Sequence, residues 1–377
     1  MADFKGILTT QSHALPTGWD ATTLAKWNLR NGRTYDQLRS DIVAGLQGVN
    51  AEFLSRWSDL IYVTTEQTVE YQNGGGTGEM IDVTELDRVE PQRGETVGHM
   101  IDLREIGDAI GGSEKFFRDA RESVITASVA GLVKRGINTW EKRLLTRATA
   151  NTVNTIGSAG YDMPFANASG TVTWTPPAYG GNTFQSTHTH FAGFDSGNSK
   201  TLANVLDDSA ANLAEHGHPS PYIAYVSEAD VATIQALTKY VEPVMFARDR
   251  GGSSSGSAYS VNGDVGEVPV AGGRFVGYYN TKHGIVELRA IGRLTTGYVF
   301  MYRSYGANNP NNPIWIRVHP DVGFGFYIKE LPSYDSNYPV KTIEVRAEQG
   351  FGVGRDRTNG VNGLLVSGGT WANPTIG

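Results

Sequence analysis

Residues 113–151 read SEKFFRDARESVITASVAGLVKRGINTWEKRLLTRATAN, and this stretch decides the fold. Apolar side chains such as Val133, Ile137 and Leu144 recur along it at the spacing of one helix face. Ser113 is predicted to cap the helix, after a break at Gly111-Gly112. No proline interrupts about ten turns, which corresponds to a helix roughly 55 Å long. A helix of that length favours a flat, elongated subunit over a compact one.

The predicted helix is basic, and the segment before it is acidic. From Ser113 to Ala150 there are eight basic and four acidic side chains, a net charge of +4. From Ile61 to Gly112, eleven acidic and three basic side chains give a net charge of −8. Neighbouring segments of opposite charge predict that an acidic element lies over a basic one, within the chain or between copies. The alternative is that both runs are solvated faces.

Composition excludes several classes of protein. The 377 residues can bury a sizeable core in one to three domains. The absence of cysteine excludes disulfides and thiolate-ligated metals. A net charge of −7 argues against a general nucleic-acid binder, but not against a protein that encloses nucleic acid without gripping it. The sequence carries no signal-peptide pattern and no apolar run of membrane-spanning length.

The chain before the long helix is predicted to form an arm, a helix and two strands. Residues 1–32 are polar and read as an extended arm, and residues 33–60 contain a helix with an apolar stripe. Ile61–Gln72 and Glu79–Val89 read as strands joined by a glycine-rich tip. Residues 61–112 therefore form an acidic two-stranded arm, which is too polar to bury itself and should rest on another surface.

After the long helix the sequence predicts a mixed α+β region over residues 152–335, closed by terminal strands in residues 336–377. A helix is predicted at Ser199–His216. The predicted strands are Tyr222–Val226, Arg274–Tyr279, Gly284–Arg289, Tyr298–Tyr302, Trp315–His319, Phe324–Lys329, Lys341–Glu348 and Gly363–Val366.

Four histidines are the candidate metal ligands. His188 and His190 lie two residues apart, which puts them on one face of a strand, and His216 and His218 could supply two more imidazoles. No His-Glu-x-x-His pattern is present, and no partner that would orient the rings is evident. We therefore predict no metal site, and a histidine-ligated, metal-dependent β-rich enzyme is left as an alternative.

No enzyme motif stands out in the sequence. Gly352-Val-Gly354 lacks the third glycine and the strand-to-helix context of a dinucleotide site. Asp207 and Asp208 lie on a predicted polar helix face, where carboxylates are usually solvated, and no Gly-x-Ser-x-Gly is present. We predict no catalytic residue and no cofactor.

The stretch TIEVRAEQGFGVGRDRTNGVNGLLV, residues 342–366, resembles the closing strands of tailed-bacteriophage major capsid proteins, the Hong Kong 97 fold. Residues 222–239 resemble that family's buried strand followed by a capped helix, and the order of elements agrees along nearly the whole chain. The resemblance implies an α+β fold with an N-terminal arm, an extended two-stranded loop, a long spine helix, and peripheral and axial domains.

The same resemblance assigns the parts of the chain. Residues 61–112 would be the extended loop, and residues 113–151 the spine helix of the peripheral domain. Residues 152–335 would form mainly the axial domain with insertions. Residues 336–377 would supply terminal strands to both domains.

The resemblance also implies a function. The chain is expected to be a major capsid protein that self-assembles into hexamers and pentamers of an icosahedral phage head around double-stranded DNA. Its expected location is the virion, after assembly in the host cytoplasm. Expected partners are other copies of the chain, a separate scaffolding protein, a portal protein and decoration proteins, with no membrane. An encapsulin-like shell of a cellular compartment is the alternative within this fold.

In such shells the extended loop of one subunit lies across the spine helix of its neighbour. The acidic contact residues are then predicted to be Glu79, Asp82, Glu85, Asp87 and Glu90. The basic contact residues on the spine helix are predicted to be Arg118, Arg121, Lys134 and Arg135, and a loop with Arg248 and Arg250 is placed at the capsomer centre. Residues 61–112 contain no lysine, so we expect no covalent cross-link, and we also expect no maturation cleavage.

Overall fold

The structure is a computed structural model of the chain, and it describes residues 35–74, 95–113, 122–156, 159–161, 163–167, 174–242, 269–270, 273–329 and 340–377. The predicted N-terminal arm, the predicted strand Glu79–Val89 and the loop with Arg248 and Arg250 lie outside the described residues. Among the residues that are described, no helix combines the length and apolar character needed to cross a membrane.

The described residues form four α-helices and seventeen strands. The helices are α1 (Tyr35–Arg56), α2 (Glu122–Thr149), α3 (Leu202–Glu215) and α4 (Val231–Gln235). The strands up to α3 are β1 (Ile61–Thr64), β2 (Thr68–Asn73), β3 (Glu95–Met100), β4 (Arg104–Ser113), β5 (Asn154–Ile156), β6 (Ala159–Tyr161) and β7 (Phe191–Asp195). The later strands are β8 (Tyr222–Ser227), β9 (Tyr240–Val241), β10 (Pro269–Val270), β11 (Gly273–Thr281), β12 (Gly284–Ile291), β13 (Tyr298–Tyr302), β14 (Ile314–Val318), β15 (Tyr327–Lys329), β16 (Val340–Val353) and β17 (Val361–Val366).

The strands form three sheets. The first has the order β1-β14-β16-β15, with β4 joined to β16. The second has the order β10-β11-β12-β8-β13-β17-β7, with β9 joined to β11. The third is small and has the order β2-β3-β6-β5. Because β16 belongs to the first sheet and β17 to the second, a single C-terminal stretch connects the two large sheets.

Each large sheet is covered by helices. Trp140 and Leu144 of α2 and Phe53 of α1 are buried in one apolar cluster with side chains of the first sheet. The Trp140 ring stacks on Phe326, with the ring centroids 3.8 Å apart. Leu206 and other apolar residues of α3 are buried in a second cluster against the second sheet. These contacts follow the apolar stripes that the sequence shows on each helix.

The predicted start of the long helix is wrong. Ser113 is the last residue of β4, where it pairs with Val340, and Gly111 and Gly112 lie within the same strand. Backbone pairing of β4 with β16 over ten residue pairs outweighs the single hydrogen bond that a serine cap supplies. The described helix begins at Glu122 and has 28 residues, about 42 Å. Residues 114–121 lie outside the described residues.

The described part of the acidic segment is not a single two-stranded arm, so that prediction is also corrected. Strand β1 pairs in parallel with β14. Its apolar side chains Ile61 and Val63 are buried there. β4 pairs along its whole length with β16 of the same chain. Within the described part of the segment β2 and β3 do pair with each other, but β3 is not the strand Glu79–Val89 that was predicted as the partner.

The elements predicted after the long helix are confirmed, with shifts at their ends. The helix predicted at Ser199–His216 is α3, and the strand predicted at Tyr222–Val226 is β8, whose six residues are all buried. The predicted strand Phe324–Lys329 shortens to β15, because Phe324 packs into the apolar cluster instead of pairing.

We predict opposite effects for the same substitution at two glycines of α2. A Cβ atom at Gly136 would overlap the Phe326 ring, whereas a Cβ at Gly131 has its nearest neighbour 3.8 Å away, at the Arg135 guanidinium. Gly136→Ala is therefore expected to lower the free energy of unfolding by about 1–2 kcal/mol. Gly131→Ala is expected to raise it by up to about 1 kcal/mol, because alanine favours the helix.

The measurement is urea unfolding of the unassembled subunit. Equal shifts in the same direction for both variants would contradict the packing of Phe326 against this turn of α2.

Candidate functional site

One face of α2 is basic and open. Lys134, Arg135 and Lys142 are exposed, and Arg143 is half-buried. Arg135 and Lys142 are seven residues apart, so they lie on the same side of the helix, about 10 Å apart along its axis, with Lys134 and Arg143 on either flank of that side. Burial lowers the pKa of Arg143, and the charge of nearby Arg104 lowers it further. The C-terminal half of this face is therefore an electropositive surface.

A pocket of about 350 Å³ adjoins this face, between α2, β4 and β16. Its lining includes four cationic side chains and the carboxylate of Asp102. The cationic residues are Arg104, Lys142, Arg143 and Arg147. An excess of positive charge in a concave site suits a carboxylate-rich segment.

Part of the predicted charge complementarity is satisfied within the chain. Asp108 of β4 lies 2.6 Å from the Arg135 guanidinium, and this contact lowers the pKa of Asp108. The Arg346 guanidinium of β16 likewise lies 2.7 Å from the Glu105 carboxylate of β4. The Asp108–Arg135 pair is solvent-exposed, so it stabilises the fold by no more than about 1 kcal/mol. Sequence reasoning missed both pairs, because they depend on β4 pairing with β16.

The remaining predicted contact residues are not placed together here. Lys134 lies on the open face described above, but the five acidic loop residues and two spine residues lie outside the described residues. The residues outside are Glu79, Asp82, Glu85, Asp87, Glu90, Arg118 and Arg121.

A second surface beside Lys134 is apolar. A groove of about 510 Å³ opens between α1 and α2, and its walls are mainly apolar side chains such as Leu46, Val129 and Val133. Open apolar surface of this kind is typical of interaction sites. Lys134 and Asp41 line the groove as charged residues.

The base of the acidic segment is fixed by buried polar contacts. His99 of β3 is 2% exposed, and its Nε2 lies 3.0 Å from the Val353 carbonyl. The Arg357 guanidinium lies 4.7 Å from the Trp174 ring centroid and 5.2 Å from that of Tyr71 on β2. It also donates to the Tyr71 hydroxyl at 3.2 Å. Strands β2 and β3 are therefore held against the C-terminal turn.

The structure brings three of the four candidate histidines together. The Nε2 atoms of His188, His190 and His216 lie 2.9–3.0 Å from one another. His218 is apart from them and contacts the Tyr305 and Thr358 hydroxyls. Burial lowers the pKa of each clustered histidine, that of His216 to about 3, and this favours the neutral form of the rings.

Comparison with known proteins identifies the fold. Models of known protein families and curated proteins give no match to the chain. A solved structure of Mycobacterium phage Patience superposes with a TM-score of 0.62, over 96% of this chain and 97% of that one, at 20% sequence identity. The chain has the Hong Kong 97-like capsid fold.

Other capsid structures are similar at a lower level. The mature capsid of bacteriophage PhiM1 gives a TM-score of 0.46 at 11% identity and covers 82% of this chain and 86% of that one. The capsid of an empty GTA particle gives a TM-score of 0.43 at 12% identity and covers 85% and 90%.

We predict that His99 makes this capsid fold sensitive to acid. Burial, with repulsion from Arg357 and Arg147, lowers the pKa of His99 to about 3. The unfolded chain protonates this side chain near pH 6.5, so unfolding takes up a proton between about pH 6.5 and 3 and stability falls as the pH falls. His99→Gln keeps a donor for Val353 but removes this proton.

The slope of unfolding free energy against pH, measured by urea unfolding between pH 5.5 and 4, should decrease in His99→Gln by about 1.4 kcal/mol per pH unit. His283→Gln, which changes an exposed histidine between β11 and β12, should keep the wild-type slope. An unchanged slope in His99→Gln would show that this ring is protonated in the folded chain.

Proposed function

We propose that the chain is the major capsid protein of a tailed phage and has a structural role without catalysis. The observation that carries the proposal is the capsid fold over nearly the entire chain, at a TM-score of 0.62. The open basic face of α2 and the apolar groove beside it support self-assembly, because both are surfaces that another protein can cover.

The contact that we propose is between copies. The acidic side chains of residues 79–90 of one subunit lie over Lys134 and Lys142 of its neighbour, and reach the basic pocket beside Arg143. Each exposed ion pair contributes only about 0.2–1 kcal/mol. Several pairs act in each contact and many contacts act in each shell, so their sum is large. Arg135 contributes less to this contact, because Asp108 already pairs with it.

The proposed assembly is an icosahedral head of hexamers and pentamers that encloses double-stranded DNA. A net charge of −7 keeps the subunit from holding the packaged DNA tightly. A separate scaffolding protein would direct the assembly, a portal protein would occupy one vertex, and decoration proteins would bind outside. The chain would then be a component of the virion, assembled in the host cytoplasm.

Charge reversal on α2 tests the proposed contact. The double variant Lys134→Glu, Lys142→Glu changes two exposed side chains, so the subunit should still fold. Repulsion from the neighbour's acidic segment should then abolish or strongly reduce shell formation, measured by sedimentation and negative-stain electron microscopy. Lys200→Glu, Lys282→Glu makes the same change of charge at two exposed sites near the second sheet, and should assemble like the wild type.

A charge swap makes the test specific. Adding Glu85→Lys and Asp87→Lys to the α2 double variant should restore assembly, because the two surfaces become complementary again with opposite signs. Shells formed equally well by the α2 double variant, or no recovery after the swap, would contradict a contact between these two segments.

A further inference from the structure

The three clustered imidazoles form a set of contacts that hydrogen atoms alone cannot satisfy. Nδ1 of His190 lies 2.9 Å from the Gly360 carbonyl, so this nitrogen carries the proton and the Nε2 atom presents a lone pair. If His188 and His216 both donate to that lone pair, their own contact at 2.9 Å joins two donors. If only one of them donates, the Nε2 atom of the other ring and the Nε2 atom of His190 face each other with a lone pair on each. Some contact in the triangle is always repulsive.

A metal cation removes this conflict, because it accepts all three lone pairs at once. Nitrogen ligands of a tetrahedral zinc ion lie about 2.0–2.1 Å from the metal and hence roughly 3.3 Å from one another. The observed separations of 2.9–3.0 Å are within a few tenths of an ångström of that value. The hydrogen bond from His190 to Gly360 is the kind of contact that orients a ligating imidazole.

A carboxylate stands next to the triangle. Oε1 of Glu215 lies 3.5 Å from Nε2 of His188 and 3.9 Å from Nε2 of His216. These distances put an oxygen close to the fourth position of a tetrahedral site. His218 is excluded from the set, because its two ring nitrogens already contact Tyr305 and Thr358 at 2.9 Å.

We infer that His188, His190 and His216 bind a zinc ion, with the Glu215 carboxylate as the fourth ligand. Imidazole nitrogen with one carboxylate is a donor set that suits Zn²⁺. Four protein ligands close the coordination sphere, which is typical of a structural site rather than a catalytic one.

The position of the site in the fold indicates what the ion does. His188 and His190 immediately precede β7, which among the described strands pairs only with β17 at the edge of the second sheet. Glu215 and His216 lie at the end of α3, and the Phe184 ring stacks on His216 with centroids 4.1 Å apart. Zinc would therefore tie the edge strand and the segment before it to the helix that covers the sheet.

The test titrates the full chain, free of any affinity tag and stripped with a chelator, with Co²⁺ and then Zn²⁺. We expect one ion per chain, the intense visible absorption of tetrahedral cobalt, and displacement of cobalt by zinc. His188→Gln, which changes a partly exposed ligand, and His216→Gln, which changes a buried one, should each weaken binding at least about tenfold. Zinc should raise the melting temperature of the wild type by a few degrees and leave that of these variants nearly unchanged.

His283→Gln removes an exposed histidine elsewhere and should bind like the wild type. Glu215→Ala, whose side chain is partly exposed, should retain the ion but change the cobalt spectrum, because water takes the fourth position. An unchanged spectrum in Glu215→Ala would overturn the assignment of the carboxylate. Weak octahedral absorption, or equal affinity in His216→Gln and the wild type, would mean adventitious binding only and overturn the site.

Discussion

The turn at residues 354–360 joins the two large sheets, and its buried polar contacts determine how the sheets are oriented. Asn359 is fully buried and donates to the carbonyls of Arg303 and Asn311, at 2.8 and 2.9 Å. Its side-chain oxygen accepts from the Arg303 amide at 2.8 Å. A buried amide left without these partners would cost about 1–3 kcal/mol per group. The turn therefore has one favourable conformation, and β16 and β17 leave it in fixed directions.

The same turn supports the surfaces that assembly and metal binding require. Arg357 holds Tyr71 at the base of the acidic segment, and the Gly360 carbonyl orients His190. A second contact between the two sheets is an ion pair at 2.5 Å between buried Arg289 of β12 and Asp59, which lies just before β1. Both sets of contacts link the first sheet to the second and so restrain the two sheets relative to each other.

The sequence predicted the elements whose signals are local. Trp140 and Leu144 lie on the buried side of α2 as their spacing indicates, and the C-terminal stretch suggested the correct fold. Ser113 was misassigned because a serine after two glycines resembles a helix cap. The strand with which it pairs lies more than 200 residues away in the sequence. The histidine cluster could be seen only in part, because the approach of His216 to His188 and His190 depends on how α3 packs on β17, the strand that pairs with β7.

An electron cryomicroscopy reconstruction of the purified, assembled chain tests the central claim most directly. The account predicts closed shells or capsomers in which density for residues 79–90 of one subunit crosses α2 of the next, beside Lys134 and Lys142. A protein that stays monomeric at high concentration, or shells in which residues 79–90 contact only their own subunit, would contradict it.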